Sequence, residues 1–361
     1  MPTELPLTDL HRRAGGVLDE RDGWLVPRHY GAPDAEYRVL RESVGLADRS
    51  ELGKVEVTGR DRASFLHGML TNDVKGLAPG QGCPAAFLDA HGKVTALLAV
   101  YALEDRLWLE LAPATTEKFL ETIDHFLISE KAYLEAADAA FAVFSLQGPQ
   151  ARALLETAGG AALELAPYAH TAVELGGQPA RAMARPDGPA PGYHLWIPAA
   201  AAEGAWQALV VAGARPVGAD ALEIARVEAG QPRWGRDVDG AQIFPELGLD
   251  DHVSFTKGCY IGQEVVARVK YRGHVNRALT GLVLEGDRVP APGAAVVTVG
   301  TEEGREIGRV TSAVRSPGLG HVLALGYVRR EHLEPGSAVS VRDGAAVIAA
   351  RVAARPFAAS A

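Results

Sequence analysis

The chain has 361 residues, 47% hydrophobic and 22% charged, with a net charge of −9; that size predicts two or three soluble globular domains, and that charge argues against broad nucleic-acid binding. Its two cysteines exclude a disulfide framework and make a reducing, cytoplasmic setting the expectation. The opening Met1-Pro2-Thr3-Glu4-Leu5-Pro6 lacks the basic and apolar regions of a signal peptide, and the most apolar run, Thr95 to Leu103, is too short to cross a bilayer, so no membrane is expected.

Residues 1–45 read as a short helical or irregular start, followed by Gly23-Trp24-Leu25-Val26-Pro27. From Lys54 to Gly59 the alternation of Val55 and Val57 predicts a half-buried strand. Asp61 is placed to cap a helix with Ala63, Phe65, Leu66 and Met69 on its apolar side. Cys83 to Leu111 reads as strands around the turn Asp89-Ala90-His91-Gly92, and Thr115 to Ile128 as a helix. A strand at Phe141–Leu146 precedes Gly148-Pro149, where proline opens a helix. Strands follow over 180–197, then helices at Ala200–Ala212 and Ala219–Ala229. After Asn276 the character changes. Six short β-rich runs, Leu279–Leu284, Ala294–Val299, Glu306–Val314, Val322–Val328, Ala338–Val341 and Ala346–Ala353, are divided by Gly and Pro turns. Such spacing predicts a small antiparallel barrel. The expected domains are 1–275, holding two interleaved α+β parts, and a barrel at 276–361.

The stretch Lys257-Gly258-Cys259-Tyr260-Ile261-Gly262-Gln263-Glu264 holds one of the two cysteines. A thiolate is the reactive form of cysteine, and nearby cations and helix N-termini favour it. Lys257 would share a side with Cys259 in extended backbone. A helix starting near Gly262, with Ile261, Val265 and Val269 at helical spacing, would point its positive end at the thiol. The alternative is a small buried apolar residue ahead of a helix. Cys83 and Cys259 lie far apart in sequence, and His252 and His274 lack ligand spacing, so no permanent metal is expected. Phosphate-loop, dinucleotide, zinc-protease and nucleophile-elbow motifs are absent from the sequence.

The octapeptide Lys257–Glu264 resembles the signature of YgfZ-type folate-binding proteins. Other segments are similar, in order, to the aminomethyltransferases (the glycine cleavage T-protein). They are Gly45-Leu46-Ala47-Asp48-Arg49-Ser50 with Gly53-Lys54, Thr71-Asn72-Asp73-Val74, Gln147-Gly148-Pro149, Arg226-Val227-Glu228-Ala229-Gly230, Gly308-Arg309-Val310-Thr311-Ser312 and Gly326-Tyr327-Val328. The resemblance implies an α+β fold, a three-domain cloverleaf of aminomethyltransferase type with a C-terminal antiparallel β-barrel. It also implies a bound tetrahydrofolate or one-carbon derivative.

Under this resemblance Cys259 and Lys257 are the reactive pair. Arg226 matches a folate-contacting arginine. Tyr193, Tyr260, Gln263, Glu264 and Glu228 are further folate-binding candidates, with Glu223, Trp24 and Trp234 as weaker ones. His194 stands where the transferases carry a pterin-binding glutamate. Ala96 and Leu97 occupy the acidic positions of the transferase segment, and a poised carboxylate is what acid–base help to methylene transfer requires. Three functions follow. The first is a folate-binding accessory protein for iron–sulfur enzymes, including radical-SAM enzymes that modify tRNA, acting as a monomer on protein partners. The second is a folate-dependent aminomethyltransferase or demethylase using another carboxylate, such as Asp89 or Glu264. The third is a scaffold with a vestigial pocket.

Overall fold

The computed structural model describes residues 1–160, 163–186, 188, 192–299 and 304–357. The chain divides into two compact units. One comprises Met1–Ala90, Thr95–Leu222 and Asp250–Ile261; the other comprises His91–Val94, Glu223–Leu249 and Gly262–Ala361.

The first unit holds three sheets. The short helix expected near the start is present at Thr8–Arg13, with a second at Pro33–Glu42, and a three-stranded sheet not expected there, ordered Thr3–Glu4, Trp24–His29, Val17–Arg21, accompanies them. Its strands are short and nearly all their residues are exposed or half-buried, so they carry little of the apolar alternation that reveals a strand in sequence. A six-stranded sheet runs His170–Leu175, Gln178–Arg185, Gly192–Pro198, Phe141–Gln147, Gly45–Asp48, Arg215–Pro216. Of the span expected to be strands here, positions 187 and 189–191 lie outside the described residues. A five-stranded sheet runs Gly82–Leu88, Val94–Ala102, Leu107–Leu111, Gly53–Thr58, Tyr133–Ala136.

Apolar side chains leave water on both faces of the inner strands. Leu46, Phe144, Leu146, Leu195 and Trp206 centre one core; Val55, Leu66, Phe87, Val100 and Leu109 centre another. Trp108 and Trp196 stack 4.8 Å apart between centroids in a smaller cluster.

Several motif residues hold this unit together. Buried Asp48 accepts from the Ser50 amide at 2.9 Å and the Ser50 hydroxyl at 2.6 Å, and meets His11 Nε2 at 2.9 Å. Buried Lys54 donates to the carbonyls of Ser50 at 2.8 Å and Leu52 at 2.7 Å. Gly148 stands at φ +134°, where a Cβ would lie 2.2 Å from the Ser43 carbonyl oxygen. Any side chain is therefore excluded there.

The barrel dominates the second unit. Its closed order is Arg277–Leu284, Val322–Arg329, Glu306–Arg315, Ala295–Thr298, Ala338–Asp343, Ala346–Ala353, with every pair antiparallel. All six expected runs are strands, because each places alternate apolar residues such as Leu282, Val296, Val310 and Val341 inside. No helix among the described residues is long and apolar enough to cross a membrane.

Candidate functional site

The thiol stretch is fixed to the first unit by its main chain. The Thr71 hydroxyl donates to the His252 carbonyl at 2.6 Å, Asn72 Nδ2 to the Asp251 carbonyl at 2.9 Å, and the Ser254 amide to the Thr71 carbonyl at 3.1 Å. This gives the Thr71-Asn72 segment a structural purpose. Lys257 then reaches the carboxyl end of the helix Arg62–Met69. Its ammonium donates to the Leu70 carbonyl at 2.6 Å and to the His67 carbonyl. The last carbonyls of a helix have no intrahelical partner and carry partial negative charge, so a lysine there acts as a cap. The same ammonium sits 4.9 Å from the centroid of the Tyr260 ring. Burial pushes the Lys257 amine down to about 8, against opposing pulls from Asp73, Cys83 and Cys259.

Cys259 is exposed; it is not the buried apolar residue of the alternative reading. Cys83 is half-buried, and its thiol is pushed up to about 12, chiefly by burial and then by Asp73, with Lys257 opposing. Lys257 is therefore within electrostatic reach of both thiols. Tyr260 is half-buried and its phenol is pushed up to about 12 by burial.

The expected helix runs Gln263–Arg272, with Gly262 at φ +79° ahead of it. The apolar stripe differs from expectation. Ile261 precedes the helix and packs against the first unit's core, while Val266 is the buried helical residue. Gln263 is half-buried and Glu264 is exposed in the first turn.

Three expected folate contacts are committed elsewhere. Arg226 spends all five of its N–H donors within the second unit. Nε donates to Glu223 Oε2 at 2.9 Å, Nη1 to the Gln231 carbonyl at 3.1 Å and Asp237 Oδ2 at 2.6 Å, and Nη2 to Glu223 Oε1 and Ser312 Oγ, both at 2.5 Å. Burial works against the guanidinium's charge, but Glu223 and Asp237 together outweigh it and raise its proton affinity. The sequence could not reveal this, because Ser312 lies 86 residues away and Asp237 comes within reach only once the chain turns back after the helix. Glu228 is buried, accepts from the Ser316 hydroxyl, and lends its carbonyl to the Phe357 amide at 2.9 Å. Tyr193 is 5% exposed within an apolar core, set there by the alternation of the strand Gly192–Pro198.

His194 is buried too, on the next position of that strand. Its Nδ1 lies 2.8 Å from Glu110 Oε1. Trp196 Nε1 donates to Glu110 Oε2 at 3.0 Å, and Arg185 Nη1 stands 3.2 Å from Oε1. Burial alone would raise the Glu110 carboxyl, but His194 and Arg185 hold it well below the usual carboxylate range. Sequence reading missed Glu110. Its one signal was a lone acid inside the apolar strand Leu107–Leu111.

Ala96 is buried and Leu97 half-buried in the strand Val94–Ala102, so neither transferase position supplies a carboxylate. Among the described residues no group of three or more His, Cys, Asp or Glu could hold a metal ion.

An α/β unit with mostly antiparallel sheets, joined in one chain to a closed six-stranded barrel, defines a class of known proteins. Residues 7–257 match the GCVT N-terminal domain, and residues 277–358 match the glycine cleavage T-protein C-terminal barrel domain; the chain belongs to this family. It is 32% identical to an aminomethyltransferase of Streptomyces avermitilis, over 93% of this chain and 92% of that one. It is 30% identical to an aminomethyltransferase of Desulforamulus reducens, over 98% and 97%. The crystal structure of the glycine cleavage system aminomethyltransferase T from Bartonella henselae shares the fold. It superposes with a TM-score of 0.90 at 24% identity, covering 99% of this chain and 98% of the other.

Proposed function

We propose that this chain binds a reduced folate and acts in folate-linked one-carbon transfer, as an aminomethyltransferase or demethylase. The observation that carries this reading is similarity over almost the whole chain to proteins named aminomethyltransferase. Tetrahydrofolate would accept or donate the one-carbon unit. The expected contacts fit the folate only in part. Arg226, Glu228 and Tyr193 are committed to internal packing, which leaves the half-buried Tyr260 and Gln263 and the exposed Glu264 as candidates. With Ala96 and Leu97 at the acidic positions, a different carboxylate, Asp89 or Glu264, would have to assist the transfer.

A second reading rests on the exposure of Cys259. In it the chain is a YgfZ-type accessory protein that binds folate and supports iron–sulfur enzymes, including radical-SAM enzymes of tRNA modification. Its thiol would carry the activity, and Lys257 would order the loop that presents it.

Calorimetric titration with tetrahydrofolate, followed by methylene turnover with an amine donor, tests the first reading. Binding with turnover supports transfer. Binding without turnover, together with loss of cellular iron–sulfur enzyme activity in Cys259→Ala, supports the accessory role. A folded protein that binds no folate overturns both.

A further inference from the structure

The strand Tyr133–Ala136 closes one side of the five-stranded sheet, and among the described residues no strand lies beyond it. Its register pairs Val55 with Ala136 and Thr58 with Tyr133, and the Ala137 amide donates to the Lys54 carbonyl at 2.8 Å. Antiparallel pairs alternate between bonded and non-bonded positions. The main-chain groups of Tyr133, Glu135 and Ala137 therefore turn inward, and those of Leu134 and Ala136 turn toward the open edge. Neither lysine nor proline blunts this edge, and Glu135 is the one charged residue in the strand.

A cleft of about 440 Å³ runs between this edge and the helix Thr116–Asp124. Leu120, Ile123 and Leu134 supply its apolar lining. Nine residues line it; Glu121, Asp124 and Glu135 are carboxylates and none is Lys or Arg. Of the lining residues Tyr133 is 57% exposed, and Ile128, next in the chain to lining residue Leu127, is 91% exposed.

We propose that this edge and cleft dock an extended peptide segment of a partner protein, one that alternates apolar with basic residues. Strand addition would satisfy the outward groups of Leu134 and Ala136, and alternate apolar side chains would enter the cleft beside the helix. The carboxylates select the sign of the flanking charges. This inference is independent of the folate reading.

The test uses the full chain and two synthetic peptides. One alternates valine or isoleucine with lysine or arginine; the other carries glutamate or aspartate at the basic positions. Fluorescence anisotropy measures affinity, and hydrogen exchange locates the contact. The expected result is salt-sensitive binding of the basic peptide, at least tenfold tighter than the acidic one, with slowed exchange at the Leu134 and Ala136 amides. Ala136→Pro removes an outward donor while leaving the inward pairs intact, and should weaken binding at least tenfold. Should that variant misfold, Glu121→Lys with Asp124→Lys, both at the rim, decides: it should reverse the peptide preference. Absence of binding, equal affinity for both peptides, or protection elsewhere overturns the proposal. So does self-association through this edge, which would make a second copy the occupant.

Discussion

His194 Nδ1 and Glu110 Oε1 lie 2.8 Å apart, joining a strand of the six-stranded sheet to one of the five-stranded sheet through a contact excluded from water. The position that in the resemblance should offer a carboxylate to a ligand instead offers an imidazole to an internal carboxylate. Removing one partner of a buried pair leaves the other uncompensated and costs about 3–5 kcal/mol. Glu110→Gln should therefore lower unfolding stability by roughly 3 kcal/mol at pH 7. Because the folded Glu110 carboxyl is held low, its contribution is complete above the unfolded-state value and fades as pH falls below it. Urea unfolding at neutral and acidic pH should show the wild-type advantage shrinking in acid; an unchanged advantage would refute the assignment.

A second pH effect comes from His170. Burial, then the charge of Arg181, pushes its imidazole down to about 4. Arg181 Nη1 lies 2.9 Å from Nδ1, and Nε2 lies 2.9 Å from the Ala102 carbonyl, which fixes a neutral ring that donates from Nε2. The unfolded chain therefore takes up a proton that the folded one refuses. Stability is full above the ordinary histidine value of about 6.5 and declines toward pH 4, by roughly 3 kcal/mol in total. His170→Gln should flatten the slope of unfolding free energy in that window.

The two thiols should separate in a labelling experiment. Cys259 is exposed, whereas Cys83 is half-buried with its thiol pushed up to about 12. Only the thiolate is alkylated. At pH 8 iodoacetamide should modify Cys259 completely before Cys83 reacts detectably in the native state, as read by mass spectrometry of the digested protein. Comparable rates would contradict the described packing.

Arg226→Ala should act first on stability. Of its five donated hydrogen bonds, one each reaches Asp237, barrel residue Ser312 and the Gln231 carbonyl, and two hold Glu223 on its own helix Ala219–Glu228. Loss should cost about 3–5 kcal/mol, the range for a broken buried ion pair. Thermal unfolding would show it. If stability were unchanged while folate affinity collapsed, Arg226 would be a ligand contact and the internal network secondary.

Lys257→Met keeps an apolar stem but loses the cap on the helix Arg62–Met69. The expected cost is about 1.5–3 kcal/mol, that of a charged hydrogen bond, with faster amide exchange at the end of that helix and in the thiol loop. A loop that stays protected would assign its order to the Thr71 and Asn72 contacts instead.

The barrel was readable in the sequence because each strand obeys a local rule. One face of Arg277–Leu284 or Ala346–Ala353 is apolar, and a Gly or Pro turn ends most runs. The helix after Cys259 and the family membership were readable for the same reason: they reside in short contiguous motifs. What Arg226, Glu228, Tyr193 and Lys257 do was decided by tertiary structure. Their partners, Asp237 and Ser312, Ser316, the apolar core of the six-stranded sheet, and the carbonyls of His67 and Leu70, lie up to 190 residues away or arise only once a helix ends. A sequence fixes which donors and acceptors exist. Which of them desolvate together depends on how the strands and helices pack, and burial then sets whether a charged side chain faces a ligand or holds the fold.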